Sequence, residues 1–140
     1  MPGLTGDEAR RRFAAEPIAR LATVDNSGEP HLVPVCFAVD GDSVLTAVDH
    51  KPKTTRALRR LRNIAANPHV CLLTDRYDDD WDRLWWVRAD GTARIVAPAA
   101  PEYAAGLSAL RARYRQYRER PPAGPLIVVT VRRWRGWTAT

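Results

Sequence analysis

Residues 18–48 read IARLATVDNSGEPHLVPVCFAVDGDSVLTAV. Two groups of turn residues, Asp25-Asn-Ser-Gly28 and Asp40-Gly-Asp42, cut this stretch into short apolar runs, and both contain residue types that tolerate the positive φ of tight turns. The pattern predicts three antiparallel strands in a β-meander, over residues 18–24, 30–39 and 43–48. Because turns this short cannot make a parallel crossover, the stretch favours a closed or nearly closed barrel over a doubly wound sheet.

The sequence on either side of this stretch predicts further strands and peripheral helices. Thr5-Gly-Asp-Glu8 has the form of a capping box and predicts a helix that ends near residue 15. Apolar residues at three- and four-residue steps predict a second helix that begins after Lys53 and a third over residues 103–117. Strands are predicted over 70–74, over 85–89 and 92–96 as a hairpin around Asp90-Gly91, and over 126–131. We therefore expect a mainly β chain of about six to seven antiparallel strands.

Length and composition indicate one domain that spans residues 1–140. The chain has 140 residues and a hydrophobic content of 45%, which suits a single core. We find no apolar run of about 18 residues and no signal-peptide pattern, so we expect a cytoplasmic protein that does not enter a membrane. Cys36 and Cys71 lie in apolar surroundings and are expected to be buried thiols, and the scattered histidines do not suggest a metal site.

Positive charge is concentrated in one segment. The formal net charge is +6, from 22 basic and 16 acidic residues. Six cations and no acid occur within twelve residues: Lys51, Lys53, Arg56, Arg59, Arg60 and Arg62. This excess indicates an anionic partner without specifying which one.

The start of that segment has the features of a phosphate site. In Lys51-Pro-Lys53-Thr54-Thr55, two cations and two hydroxyls precede a predicted helix, whose N-terminal N–H groups attract anions. The segment follows the apolar strand that ends near Val48, so a planar ring could lie against an apolar wall beside the phosphate. The alternative is an ordinary solvated basic face with a capping threonine.

The order of several short motifs resembles that of a known family. These motifs are Arg20-Leu-Ala-Thr-Val-Asp, Pro30-His-x-Val-Pro-Val-Cys-Phe37, Asp49-x-Lys51-x-Lys53-Thr54, Leu61-Arg-Asn63-Ile and Asn67-Pro68-x-Val70. They resemble the split-barrel flavoproteins of the pyridoxamine-phosphate-oxidase-like (PPOX) class. Later motifs, namely Asp80-Trp81-x-x-Leu84-Trp85-Trp86, Tyr114-x-x-Tyr117 and Pro121-Pro122, resemble the actinobacterial branch that uses the deazaflavin coenzyme F420.

This resemblance implies a homodimer of FMN-binding-type split barrels with two cofactor sites at the interface. Carried over by position, Lys51 and Lys53 would bind the cofactor phosphate and Thr54 would hydrogen-bond to it. The backbone at Val35, Cys36, Val48 and Asp49 would pass along the ring, and Trp85 or Trp86 of the partner would close the pocket. Hydride transfer to a small organic substrate would then follow from the cofactor, so no side chain is singled out as catalytic.

Several alternatives remain open at this stage. The long anionic tail of F420 suits six cations better than the single phosphate of FMN does, so F420 is preferred and FMN is the alternative. A protein that holds F420 or haem without turnover would have the same sequence features. A nucleic-acid-binding barrel is disfavoured, because the tryptophans are not interleaved with the cationic segment.

Overall fold

The computed structural model describes residues 3–48 and 55–140, and within the second range the side chains of residues 55–58 are left out. The strands are β1 (Ala19–Val24), β2 (Pro30–Val35), β3 (Ala38–Asp40), β4 (Ser43–Ala47), β5 (His69–Arg76), β6 (Trp85–Val96) and β7 (Leu126–Thr138). The helices are α1 (Gly6–Ala14), α2 (Thr55–Ala66), α3 (Tyr103–Arg113) and α4 (Arg115–Glu119), with a 3₁₀ turn at Trp81–Arg83. The described part of the chain is therefore mainly β, as expected.

The strands form one antiparallel sheet in the order β2-β1-β5-β6-β7-β4-β3. β2 and β3 lie at opposite edges of this order, although only Cys36 and Phe37 connect them. Three residues span at most about 11 Å of chain, whereas seven strands in a flat sheet would extend over roughly 29 Å. The sheet must therefore curl until its two edges approach each other, which gives the expected split barrel. We call the place where the β2 and β3 edges face each other the split.

The prediction of a β-meander over the first three strands is wrong. The two hairpins, β1–β2 and β3–β4, form as predicted, and Gly28 and Gly41 supply positive φ values of 86° and 60° at their turns. The expected single strand over residues 30–39 is instead two strands that pair at opposite edges of the sheet. The chain leaves the ladder at Phe37, whose backbone groups bond to the hydroxyl of Tyr114.

The predicted hairpin at Asp90-Gly91 is also wrong, because β6 runs through these residues without a turn. β6 pairs with β5 and with β7 on both sides of Gly91, and the register with β7 shifts between Asp90 and Gly91. Gly91 is not among the described glycines with positive φ. A Cβ atom at Gly91 would lie 2.2 Å from the carbonyl oxygen of Thr130. The glycine is thus required for the close approach of β7 rather than for a turn.

The helices follow their local signals except at one break. Thr5 caps α1 as predicted, and its side chain accepts a hydrogen bond from the N–H of Glu8. The helix expected over residues 103–117 is divided into α3 and α4, because Tyr114 has extended backbone angles (φ −115°, ψ 119°). Within the described ranges, no helix is long and apolar enough to cross a membrane.

The core fills the inside of the curled sheet. Phe13 of α1 is fully buried there, with its ring centre 4.8 Å from that of Phe37 and 5.3 Å from that of Trp134. A second apolar cluster forms where α3 packs against β4 and β7, through Leu110, Leu45 and Leu126. α1 and α3 therefore cover different faces of the sheet, and both hold segments that border the split.

The close approach at Gly91 gives a stability prediction. Gly91→Ala should lower the free energy of unfolding by about 3 kcal/mol, because the new methyl group meets backbone atoms that cannot move aside. Gly6→Ala is the control, since a Cβ atom there meets nothing within 4 Å. Urea unfolding measures both variants, and equal stability of the two would contradict the packing role of Gly91.

Candidate functional site

A cavity of about 570 Å³ opens at the split. We call it the split cavity. Its walls come from the α1–β1 linker, the end of β2 with the connection to β3, the end of β4, α2, and α4 with the residue before it. The lining residues are Pro17, Ile18, Pro34, Val35, Cys36, Thr46, Ala47, Arg60, Tyr114, Gln116 and Tyr117.

The structure locates some of the predicted cofactor residues at this cavity. Val35 and Cys36 line it. Val48 directly follows the lining residue Ala47, and its N–H donates to the carbonyl of Pro125 at 3.3 Å. Asp49, Lys51, Lys53 and Thr54 lie outside the described residues, so their predicted roles stay predictions. In sequence, they connect Ala47 to α2, which supplies the lining residue Arg60.

Trp86 lies elsewhere in the described chain. It is half-buried on β6 opposite Trp137 of β7, and the guanidinium carbon of Arg88 is 5.9 Å from its ring centre. It does not line the split cavity of its own chain. Its neighbour Trp85 lies on the opposite face of β6 and packs against the core.

Tyr114 fixes two walls of the cavity. Its hydroxyl is 2.8 Å from both the nitrogen and the oxygen of Phe37 and 2.9 Å from the carbonyl oxygen of Pro17. The hydroxyl can therefore accept from the Phe37 N–H while it donates to a carbonyl. The neighbouring Arg113 donates to the carbonyls of Phe37, at 3.0 Å, and of Glu16. The end of α3 thus ties the β2–β3 crossover to the α1–β1 linker.

Burial raises the pKa of the Tyr114 hydroxyl, although the Phe37 hydrogen bond and the charge of Arg113 act in the opposite direction. The hydroxyl therefore keeps its proton at neutral pH. Tyr114 can hold the cavity wall by donating that proton, but it cannot act there as a base.

Thr46 adds a buried hydroxyl group to the wall of the cavity. Only 1% of the residue is exposed, and its hydroxyl has no hydrogen-bond partner among the described residues. A buried hydroxyl without a partner costs about 1–3 kcal/mol. The residue belongs to the lining of the split cavity, so a ligand that reaches its hydroxyl would supply the missing partner. The lining is apolar at Pro34 and Val35 and polar at Arg60 and Gln116, a combination that can take a planar ring with polar edge atoms.

The cationic segment is partly neutralised in the folded chain. Arg59 forms ion pairs with Glu29 at 3.2 Å and Asp25 at 4.0 Å, so it faces the β1–β2 turn. In that turn, hydrogen bonds from the backbone of Glu29 and the side chain of Ser27 hold the pKa of Asp25 below its usual value. Arg60 is the cation of the described part of α2 that lines the split cavity.

Sequence reasoning missed three polar residues of the cavity, Thr46, Tyr114 and Gln116, and named Arg60 only as one of six cations. Tyr114 lies in the apolar pattern that predicts the third helix, and that pattern does not indicate a role for its hydroxyl. Strand alternation could have placed Thr46 on the inner face with Val44, but nothing local indicates that this face opens into a cavity.

Comparison with known proteins gives one family and several similar folds. The family model of pyridoxamine 5′-phosphate oxidase matches residues 5–138. No curated protein matches the chain significantly in sequence. An FAD-binding protein of Mesorhizobium loti has a similar structure, with a TM-score of 0.74, 16% identity, and coverage of 96% of this chain and 95% of that one.

Two further solved structures share the fold. The FAD-binding protein of Mycobacterium smegmatis has a TM-score of 0.65 and 22% identity, with 97% of each chain covered. The heme storage protein HutZ of Vibrio cholerae has a TM-score of 0.71 and 15% identity, with 96% of this chain and 95% of that one covered. At these identities the likeness concerns the fold alone.

The Tyr114 contacts predict a local effect that a matched variant should not show. Tyr114→Phe should lower the free energy of unfolding by about 1–3 kcal/mol, because the buried Phe37 N–H loses its partner. It should also abolish the slow hydrogen exchange of the Phe37 amide.

Tyr103→Phe is the control. The Tyr103 hydroxyl also bonds to backbone carbonyls, of Gly124 at 2.8 Å and Pro122 at 3.3 Å, but it lies away from the cavity. Hydrogen exchange measured by NMR should then show an unprotected Phe37 amide in the first variant alone, and retained protection would refute this role.

Proposed function

This chain belongs to the pyridoxamine 5′-phosphate oxidase family, and we propose that it is an oxidoreductase that binds a flavin-type cofactor in the split cavity. We further propose that the cofactor is F420, with FMN as the alternative. Support for F420 comes from the motifs that resemble the actinobacterial branch, including Tyr114-x-x-Tyr117 and Pro121-Pro122. The FAD-binding proteins among the similar structures support a flavin-type ring.

The buried Thr46 hydroxyl is the observation on which the proposal depends most. It combines the absence of a described partner with a place in the wall of the split cavity. Flavin-type rings carry hydrogen-bonding atoms along their edges and an apolar benzenoid end. Thr46 would bond to such an edge, while Pro34 and Ile18 would cover apolar ring surface.

The cationic residues would hold the anionic part of the cofactor. In the proposal, Lys51 and Lys53 bind the phosphate and Thr54 hydrogen-bonds to it, beside the N-terminus of α2. Arg60 lines the cavity on the same helix, so it extends the positive charge from the phosphate toward the ring. This charge also suits the carboxylates of the F420 tail.

The protein's own contribution to the reaction would be orientation and exclusion of water. A bound deazaflavin or flavin supplies hydride chemistry at its ring. The residues around it position that ring: Thr46 by a hydrogen bond, and Tyr114 by holding the crossover that forms one wall. Tyr114 keeps its own proton at neutral pH, for the reason given above. The substrate would be a small organic molecule that enters beside Ile18 and Tyr117.

We also propose that two copies of the chain associate and that each contributes to both sites. The outward face of the sheet carries apolar side chains that a second copy would cover, since Leu32 is 65% exposed and Leu73 is 36% exposed. Trp86 lies on the same outward face. It is on β6, two residues from Arg88, which is the partner of Leu73 across the β5–β6 pair. In such a dimer Trp86 would close the partner's cavity, as the family resemblance implies.

Titration of the purified chain with F420, FMN and haem tests the cofactor, with tryptophan fluorescence as the readout. We expect F420 to bind most tightly. Lys53→Ala should weaken F420 binding by about 1–3 kcal/mol, because a charge-assisted contact to phosphate is lost. Arg62→Ala is the control, since Arg62 is exposed on α2 and does not line the cavity.

Any other outcome of this titration rejects a specific part of the proposed function. Tightest binding of FMN would reject F420 and keep the flavin site, whereas tightest binding of haem would favour a haem-binding protein. Salt-sensitive binding of an oligonucleotide without any of the three ligands would support the nucleic-acid alternative. Equal affinities of the Lys53 and Arg62 variants would reject the phosphate role of Lys53.

The role of Thr46 is tested with a variant that has nearly the same shape. Thr46→Val should weaken binding of the cofactor by about 0.5–1.5 kcal/mol, because the ring loses one hydrogen bond. It should not lower the free energy of unfolding, because a buried unpaired hydroxyl is removed.

Thr74→Val provides a matched control for that measurement. Thr74 is also 1% exposed and its hydroxyl also lacks a partner among the described residues, but it does not line the split cavity. Its replacement should have the same small effect on stability and none on cofactor affinity. If both valine variants bind the cofactor as the wild type does, the proposed contact of Thr46 is absent.

A further inference from the structure

Cys36 occupies a position at which a chemical change would affect the whole cavity. It is the first residue of the two-residue crossover between β2 and β3. Its side chain is half-buried and lines the split cavity together with Thr46. A group attached to its sulfur would therefore enter the space in which the buried Thr46 hydroxyl indicates a ligand.

Cys36 shares the split cavity with one described cation of α2, Arg60. Partly exposed thiols in electropositive sites are the ones that react, because such sites favour the thiolate.

Cys71 has a contrasting environment within the same protein. It is half-buried on β5, on the outward face of the sheet, where it pairs across the strands with Asp90. Burial and the charge of Asp90 raise the pKa of its thiol, and the charge of Arg88 offsets this only in part. Less thiolate is therefore available at Cys71, which makes it a natural internal reference.

We propose that Cys36 is a thiol-modification site whose adduct closes the split cavity to the cofactor. The Cys36 thiolate would attack one sulfur of a low-molecular-weight disulfide. A new sulfur–sulfur bond forms to Cys36, the original disulfide bond breaks, and the second sulfur leaves as a thiolate that takes up a proton. A reducing thiol reverses the exchange. This regulation rests on the proposed function, because it presupposes that the cavity holds a cofactor.

The fixed backbone explains why an adduct would compete with the cofactor. The crossover cannot move outward easily, because Tyr114 and Arg113 hold both backbone groups of Phe37. An attached group must then occupy part of the 570 Å³ cavity instead of displacing its wall. Conversely, a bound cofactor would shield the Cys36 sulfur from the disulfide.

The experiment uses glutathione disulfide as the probe, on the full chain and on the variants Cys36→Ser and Cys71→Ser. Intact-mass spectrometry counts adducts, and F420 and FMN titrations measure affinity before and after treatment. We expect one adduct on the wild type and on Cys71→Ser, with affinity reduced at least about tenfold (~1.4 kcal/mol). Cys36→Ser should take no adduct, and treatment should leave its affinity at the value measured for the same variant before treatment. Dithiothreitol should restore the treated proteins, and cofactor added first should slow the reaction.

Thermal unfolding of the treated protein shows whether the adduct acts by unfolding the chain. An unchanged melting temperature with lost affinity supports closure of the cavity, whereas a melted protein overturns it. Modification of Cys71 in preference to Cys36, or an adduct at Cys36 that leaves affinity unchanged, also overturns this proposal while the proposed function stands. Untreated protein that binds neither cofactor overturns the proposed function and, with it, this regulation.

Discussion

A connection of two residues between opposite edges of a seven-stranded sheet is the constraint on which this structure depends. β2 and β3 lie at the two ends of the strand order, yet only Cys36 and Phe37 separate them in the chain. Since this connection cannot bridge the width of a flat sheet, the sheet must curl. The curl encloses the apolar core and brings the ends of β2 and β4 to the same place, where the split cavity opens.

Side chains at the end of α3 replace the strand hydrogen bonds that Phe37 does not make in the crossover. Phe37 leaves the strand ladder, and a buried backbone group without a partner would be costly. Tyr114 and Arg113 supply those partners from a helix that is distant in sequence. To place its hydroxyl there, Tyr114 adopts extended backbone angles, and α3 ends at that point. The break between α3 and α4 and the wall of the cavity therefore have one cause.

Local sequence signals predicted the features that depend on local physics. The caps and turns were predictable, because Thr5 bonds to a residue three positions away and Gly28 needs only its own φ. Which strands pair with each other was not predictable. The separation of β2 from β3 depends on strands that come later in the chain. Asp90-Gly91 shows the difference most clearly. The same dipeptide that forms hairpins serves here to let β7 approach, and only the position of Thr130 distinguishes the two.

The same distinction applies to the site. The resemblance placed Val35 and Cys36 beside the ring, and both line the cavity. A count of cations, however, overestimates the charge that reaches a ligand, because it cannot show which of the cations face the site. Arg59 is paired with two acids of the β1–β2 turn, while Arg60, the next residue, lines the cavity. Adjacent helix positions point about 100° apart, so a run of basic residues divides between a structural contact and the site. The electrostatic argument for an anionic cofactor therefore depends more on which side of α2 each basic side chain lies than on the formal net charge of +6.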